Sequence, residues 1–178
     1  MDPRTEAALL ELRKSTKGNP MTVANNTDVR KDRLELVISR ILDAPPVLVY
    51  KAWTTPEHMV RWMGPEGFTA PSMKLDVREG GHYRGLIRSR EGKDYWFYGV
   101  YREVVENRRL VFTFAWEEDG ERGQENLVTV TFAEEGEKTR MTFKQVPFQS
   151  IEERDGHNGG WNGAFDKLSA YVAALRRA

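Results

Sequence analysis

The chain has 178 residues, 27 Lys plus Arg against 27 Asp plus Glu, and no cysteine. The missing thiols exclude disulfides, thiolate metal sites and cysteine nucleophiles, and the balanced charge argues against a nucleic-acid surface, which carries a basic surplus. A chain this long buries roughly 70% of its unfolded surface and needs no metal or disulfide staple. No apolar run approaches the length of a membrane span, and the start MDPRTEAALLELRK is too acidic and polar for a secretory signal, so a cytoplasmic address is expected.

Residues 1–30 read as an N-terminal extension and residues 31–178 as the folded domain. In the extension, Glu6 to Lys14 reads as a short helix with a weak apolar stripe of Ala8, Leu9 and Leu12. The turn-rich stretch 15–28 is expected to hold no regular structure. Residues 1–20 fit either a frayed terminus or sequence upstream of a natural start at Met21.

From Arg33 to Asp43 the alternation predicts a first strand. Pro46 then opens a short helix whose apolar face is expected to hold Val47, Tyr50 and Trp53. A second short helix follows Thr55-Pro56-Glu57, where a hydroxyl cap, a proline at the first helical position and an acid in the first turn coincide, and it stops at Gly64-Pro65. Six runs of period-two residues come next, separated by Gly80-Gly81, Glu91-Gly92, Asn107, Asp119-Gly120 and Gly136 and closed by Pro147. Such spacing means an antiparallel meander. Charge parity turns Met73, Leu75, Val77, Tyr83, Ile87, Phe97, Tyr101, Leu110, Phe112, Phe114, Trp116, Val128, Val130, Phe132, Met141 and Phe143 inward, with any bulge inverting part of a strand.

Ser150 to Glu153 forms a capping box. Beyond the GHNGG stretch, Trp161, Phe165, Leu168, Val172 and Leu175 step along one face of a long C-terminal helix, with Gly163, Ala170 and Ala174 nearly opposite. The glycine marks either a loosely begun helix or an outer face thinned for a partner. The sum is an α+β domain: a curved antiparallel sheet of about seven strands, one long C-terminal helix and two short helices after the first strand. One helix of about 10 Å diameter is narrower than seven strands at about 4.8 Å spacing, so the sheet must curl and a partly open pocket is expected.

Four stretches, SRILDAPPVLVYKAWTTPEHMVRWMGPEGFT, LDVREGGHYRG, YGVYREVVENRRLVFTFAW and GHNGGWNGAFDKLSAYV, closely resemble the bacterial activator of Hsp90 ATPase homologue-like family. That family belongs to the SRPBCC superfamily, also called START or Bet v 1-like. The resemblance covers residues 34–176 and implies a helix-grip fold around a hydrophobic cavity. It says less about activity, because the superfamily includes lipid carriers, polyketide cyclases, plant ligand-binding proteins and co-chaperone domains. The eukaryotic co-chaperone behind the family name uses a further N-terminal domain for much of its Hsp90 contact.

The candidate ligand-binding residues are the aromatics Trp53, Trp62, Tyr83, Phe97, Tyr101, Phe112, Phe114, Trp116, Trp161 and Phe165, together with His157 at the edge of the helix stripe. Rings with a few hydrogen-bonding edges suit a flat or lipophilic ligand. His58 and His82 are expected to face solvent, and no pair among the three histidines has metal-ligand spacing. No nucleophile elbow, phosphate loop or dinucleotide fingerprint is present, so no catalytic residue, cofactor or metal is assigned. Three functions follow in order: binding of a small hydrophobic molecule, a partner role with an Hsp90-type chaperone or a second copy, and a cyclase or hydrolase with His157 or a cavity tyrosine as acid.

Overall fold

The computed structural model describes residues 26–28 and 34–178. The predicted helix at 6–14 and the nature of residues 1–20 lie outside them. Strand β1 (Asn26–Asp28) pairs antiparallel with β2 (Leu36–Leu42). The turn-rich stretch is therefore not wholly irregular: three of its residues take backbone partners on the edge of β2, which is what an open strand edge offers a nearby chain.

On β2, Leu36, Ile38 and Leu42 are buried, and Arg40 shares their inward face. Its guanidinium donates to Asp166 Oδ1 at 2.8 Å and to Asn162 Oδ1 at 2.9 Å, tying the strand to the C-terminal helix. Helix α1 (Pro46–Thr54) begins at a proline as predicted, but its buried residues are Val49, Ala52 and Trp53. Val47 is 53% exposed. PVLVY offers apolar residues at four of five positions, so a helix this short fits several rotations and the packing of Trp53 selects one. Helix α2 (Pro56–Met59) also departs from expectation at its start. No side-chain bond is made by the Thr55 hydroxyl; its carbonyl instead accepts from the His58 and Met59 amides.

The remaining strands are β3 (Thr69–Leu75), β4 (His82–Arg88), β5 (Asp94–Val105), β6 (Arg109–Glu118), β7 (Glu121–Arg122), β8 (Asn126–Glu135) and β9 (Lys138–Val146). They form one antiparallel sheet in the order β1-β2-β9-β8-β6-β5-β4-β3, with β7 paired to β6. The seven long strands are those expected, and β1 and β7 are short additions. A register shift between Tyr101 and Glu103 marks a bulge in β5, after which Val104 takes the inward place.

Helix α3 runs unbroken from Ile151 to Arg177, 27 residues or about 40 Å. The GHNGG stretch, read as preceding the helix, lies inside it, with Gly156, Gly159 and Gly160 buried. Their poor propensity is outweighed by packing against the sheet. Ser150 caps the helix by accepting from the Glu153 amide at 3.1 Å, and Glu153 Oε2 reaches back to the Gln149 amide at 2.9 Å. Trp161, Phe165, Leu168 and Val172 are buried along the predicted stripe. Gly163 is not part of a thinned outer face. A Cβ there would lie 2.9 Å from the Glu66 amide nitrogen, so the missing side chain admits the loop between α2 and β3.

Candidate functional site

Trp53 stands at the centre of the interior rings. Its centroid lies 4.7 Å from Trp62, 6.0 Å from Phe165, 6.2 Å from Phe112 and 6.3 Å from Trp161. The expected open pocket is largely filled by this cluster. Small spaces remain between the described residues. A cleft of about 30 Å³ opens where α3, the inner face of β4–β6 and the α2–β3 loop meet, and a void of about 10 Å³ lies beside Trp53. The first has room for a water molecule or two. The width argument was sound for the sheet, but it left out the volume of the rings turned inward.

The eleven predicted residues divide between these spaces. Phe97, Phe114, Trp116, His157 and Trp161 line the cleft, whereas Trp53, Tyr83, Tyr101 and Phe112 line the void. Trp62 and Phe165 line neither and pack against Trp53. The far wall of the cleft was not foreseen: Met63, Gly64 and Pro65 close it from the loop, and Gly160 and Ala164 from the helix. Gly64-Pro65 was read only as a helix stop, and nothing in its pattern points inward.

Polar edges are few and mostly engaged. Tyr83 donates to the Thr113 carbonyl at 2.5 Å and Trp62 Nε1 to the Ala52 carbonyl at 3.0 Å. Burial pushes the Tyr83 and Tyr101 hydroxyls up, so both stay protonated. Trp161 Nε1 donates to Gln145 Oε1 at 2.9 Å, Gln145 Nε2 donates to Asn126 Oδ1 at 3.1 Å, and Asn126 Nδ2 donates to the Pro147 carbonyl. This buried polar chain was missed, although the parity that turns Met141 and Phe143 inward also turns Gln145 inward. Trp53 Nε1 is buried without a partner.

His157 lies deeper than an edge position. It is 3% exposed, with its ring centroid 5.1 Å from Phe148 and 5.9 Å from Phe114. Burial lowers its pKa to about 3, so the imidazole is neutral at physiological pH. Its Nε2 accepts from Trp116 Nε1 at 3.3 Å, which places the ring proton on Nδ1. Trp116 itself is only half-buried, at the cleft mouth. His82 is exposed as expected, while His58 is half-buried and hydrogen-bonded to the Tyr171 hydroxyl. A separate, open hollow of about 690 Å³ lies on the outer sheet face between Lys74, Arg84, Tyr98, Glu117 and Arg122.

A curved antiparallel sheet wrapped on one long helix, with an apolar cleft at their meeting, defines a helix-grip domain. The family model described as Activator of Hsp90 ATPase homolog 1-like protein matches residues 43–173, and the chain belongs to that family. The crystal structure of a Chromobacterium violaceum protein is 27% identical, with a TM-score of 0.70 over 79% of this chain and 97% of its own. The AHSA1 protein of Silicibacter pomeroyi is 24% identical, with a TM-score of 0.71 over 79% and 99%. A solution structure from Arthrobacter aurescens, 20% identical, has a TM-score of 0.76 over 86% and 93%. The last two are likenesses of fold. Among curated proteins none matches the chain. No helix among the described residues is long and apolar enough to cross a membrane.

Proposed function

We propose that this chain is a cytoplasmic binding module that takes a small, flat apolar molecule into the cleft between α3, β4–β6 and the α2–β3 loop. The observation carrying this reading is the Trp116–His157 pair: a half-buried indole at the mouth of an apolar cleft, held by a bond of 3.3 Å. A neutral N–H···N bond at that length is at the weak end of its class; swinging Trp116 outward gives it up together with ring contacts to Phe97 and Phe114, which the guest replaces, and frees space that the cleft lacks. The rings behind it, Phe97, Phe114 and Trp161, offer apolar faces to the guest.

Titration with N-phenyl-1-naphthylamine, an uncharged lipophilic fluorophore, tests the reading. Enhanced emission with a rise in Tm is expected, and Trp116→Ala should bind more tightly by removing the plug. No emission change and no thermal shift at saturating probe would overturn it. A partner role with an Hsp90-type chaperone or a second copy has the family description and the small-residue stripe behind it; of that stripe Gly163 is covered by the chain's own loop, and Ala170 and Ala174 are exposed. A cyclase or hydrolase would need an acid; His157 keeps a neutral ring, and the protonated Tyr83 and Tyr101 line the void beside Trp53 and not the cleft.

A further inference from the structure

The wall of the cleft formed by Met63, Gly64 and Pro65 belongs to a loop, residues 63–68, without helix or strand structure. Its attachment to α3 is unusual. Lys167 Nζ donates to the Pro65 carbonyl at 3.1 Å and to the Met63 and Phe68 carbonyls at 3.4 Å. All three ammonium protons are thus directed at one loop, and Gly163, one turn earlier on the same helix, lets the Glu66 backbone settle on α3. We propose that Lys167 latches the 63–68 loop across the cleft, and that release of this latch opens the wall facing Trp116 and so controls how fast a guest enters. The gating role rests on the cleft being a binding site; the latch itself does not.

The chemistry of the latch fixes the sign of its pH dependence. Closing the loop strips water from the ammonium and lowers its pKa from the ordinary 10.5 to about 8, with the Glu66 carboxylate working in the opposite direction. Arg90 packs against Gly67 of the same loop, and His58 of α2 meets Tyr171 one turn further along α3. Opening rehydrates the amine and restores its ordinary proton affinity. The open form therefore binds the proton more tightly, so the closed form gains on it as pH rises from below 8 towards 10. A latch made only of charge attraction would behave in the opposite way.

Hydrogen exchange at the amides of Gly64, Glu66, Gly67 and Phe68, the last bonded to the Pro65 carbonyl, in the full chain and normalised to intrinsic rates, reads the opening directly. Between pH 7 and 9 the opening constant should fall roughly five- to tenfold in the native chain. It should be level in Lys167→Met, which cannot titrate, and in Lys167→Arg, which stays charged and serves if the methionine variant does not fold. Equal pH slopes in all three, or a level native profile, would overturn the latch. The association rate of N-phenyl-1-naphthylamine should fall in parallel with exchange in the native chain only. Binding that ignores pH while exchange follows it would overturn the gating role. A latch seen in exchange with no probe bound at any pH would support the latch and reject the cleft as a binding site.

Discussion

His157 and Trp116 show how one burial decision fixes a chemistry. An imidazole enclosed by Phe114, Phe148 and Trp116 is cut off from bulk water that would stabilise its charge, and its proton affinity falls accordingly. The unfolded chain takes up that proton near pH 6.5 while the folded chain refuses it until about pH 3. Stability contributed by this residue is therefore present above pH 6.5 and lost progressively as pH falls towards 3. By pH 4 the loss amounts to roughly 3 kcal/mol, from about 1.4 kcal/mol per unit of pKa difference. His157→Gln keeps an acceptor near Trp116 but does not titrate, so urea unfolding of the variant should lose that much less stability between pH 7 and 4. Matching pH profiles would show that the ring is hydrated in solution.

Between β5 and β6 a single absent methyl organises the sheet. A Cβ on Gly99 would lie 1.8 Å from the Thr113 carbonyl oxygen and 2.7 Å from the Tyr83 ring, so only glycine lets Tyr83 reach across the strand to bond that carbonyl. Gly99→Ala is expected to cost more than about 3 kcal/mol, well beyond the ~1 kcal/mol scale of alanine–glycine propensity differences, because strand pairing and a buried hydrogen bond fail together. Chemical denaturation checks the figure, and a loss near 1 kcal/mol would mean that the ladder shifts to make room. The inward parity of Gly99 follows from the alternation that turns its neighbours Phe97 and Tyr101 inward; its close approach does not, since that depends on which strand lies alongside. Elements with one dominant signal were read correctly: the Trp161–Val172 stripe, the Ser150 cap and the seven long strands. Where two signals competed, the sequence misled. GHNGG looks like a break by propensity but is held helical by burial, and the Val47 face of α1 was one of several that its crowded apolar run allowed.

At the scale of the whole molecule, the long strands of the sheet pair with one another among the described residues. β1 contributes three paired residues at the outer edge of β2, whereas β2 pairs along its full seven-residue length with β9. Residues 31–178 alone should therefore fold as a cooperative unit with Tm within a few degrees of the full chain, as calorimetry would show. A large drop would make the extension part of the domain. The curved sheet and its helix followed from pattern and length, but the size of the hollow between them did not, because ring volume is settled only by three-dimensional packing. One detail of that packing has an optical consequence. Trp161 is anchored through Gln145 and Asn126 to the Pro147 carbonyl, while Trp116 hangs from a single longer bond at the rim. Arrival of a visitor should thus mark these two indoles differently: the rim chromophore, displaced into water, shifts its emission to longer wavelength, while the tethered one keeps its place and responds only to the visitor's contact, giving the protein a label-free signal of occupancy written into its own residues.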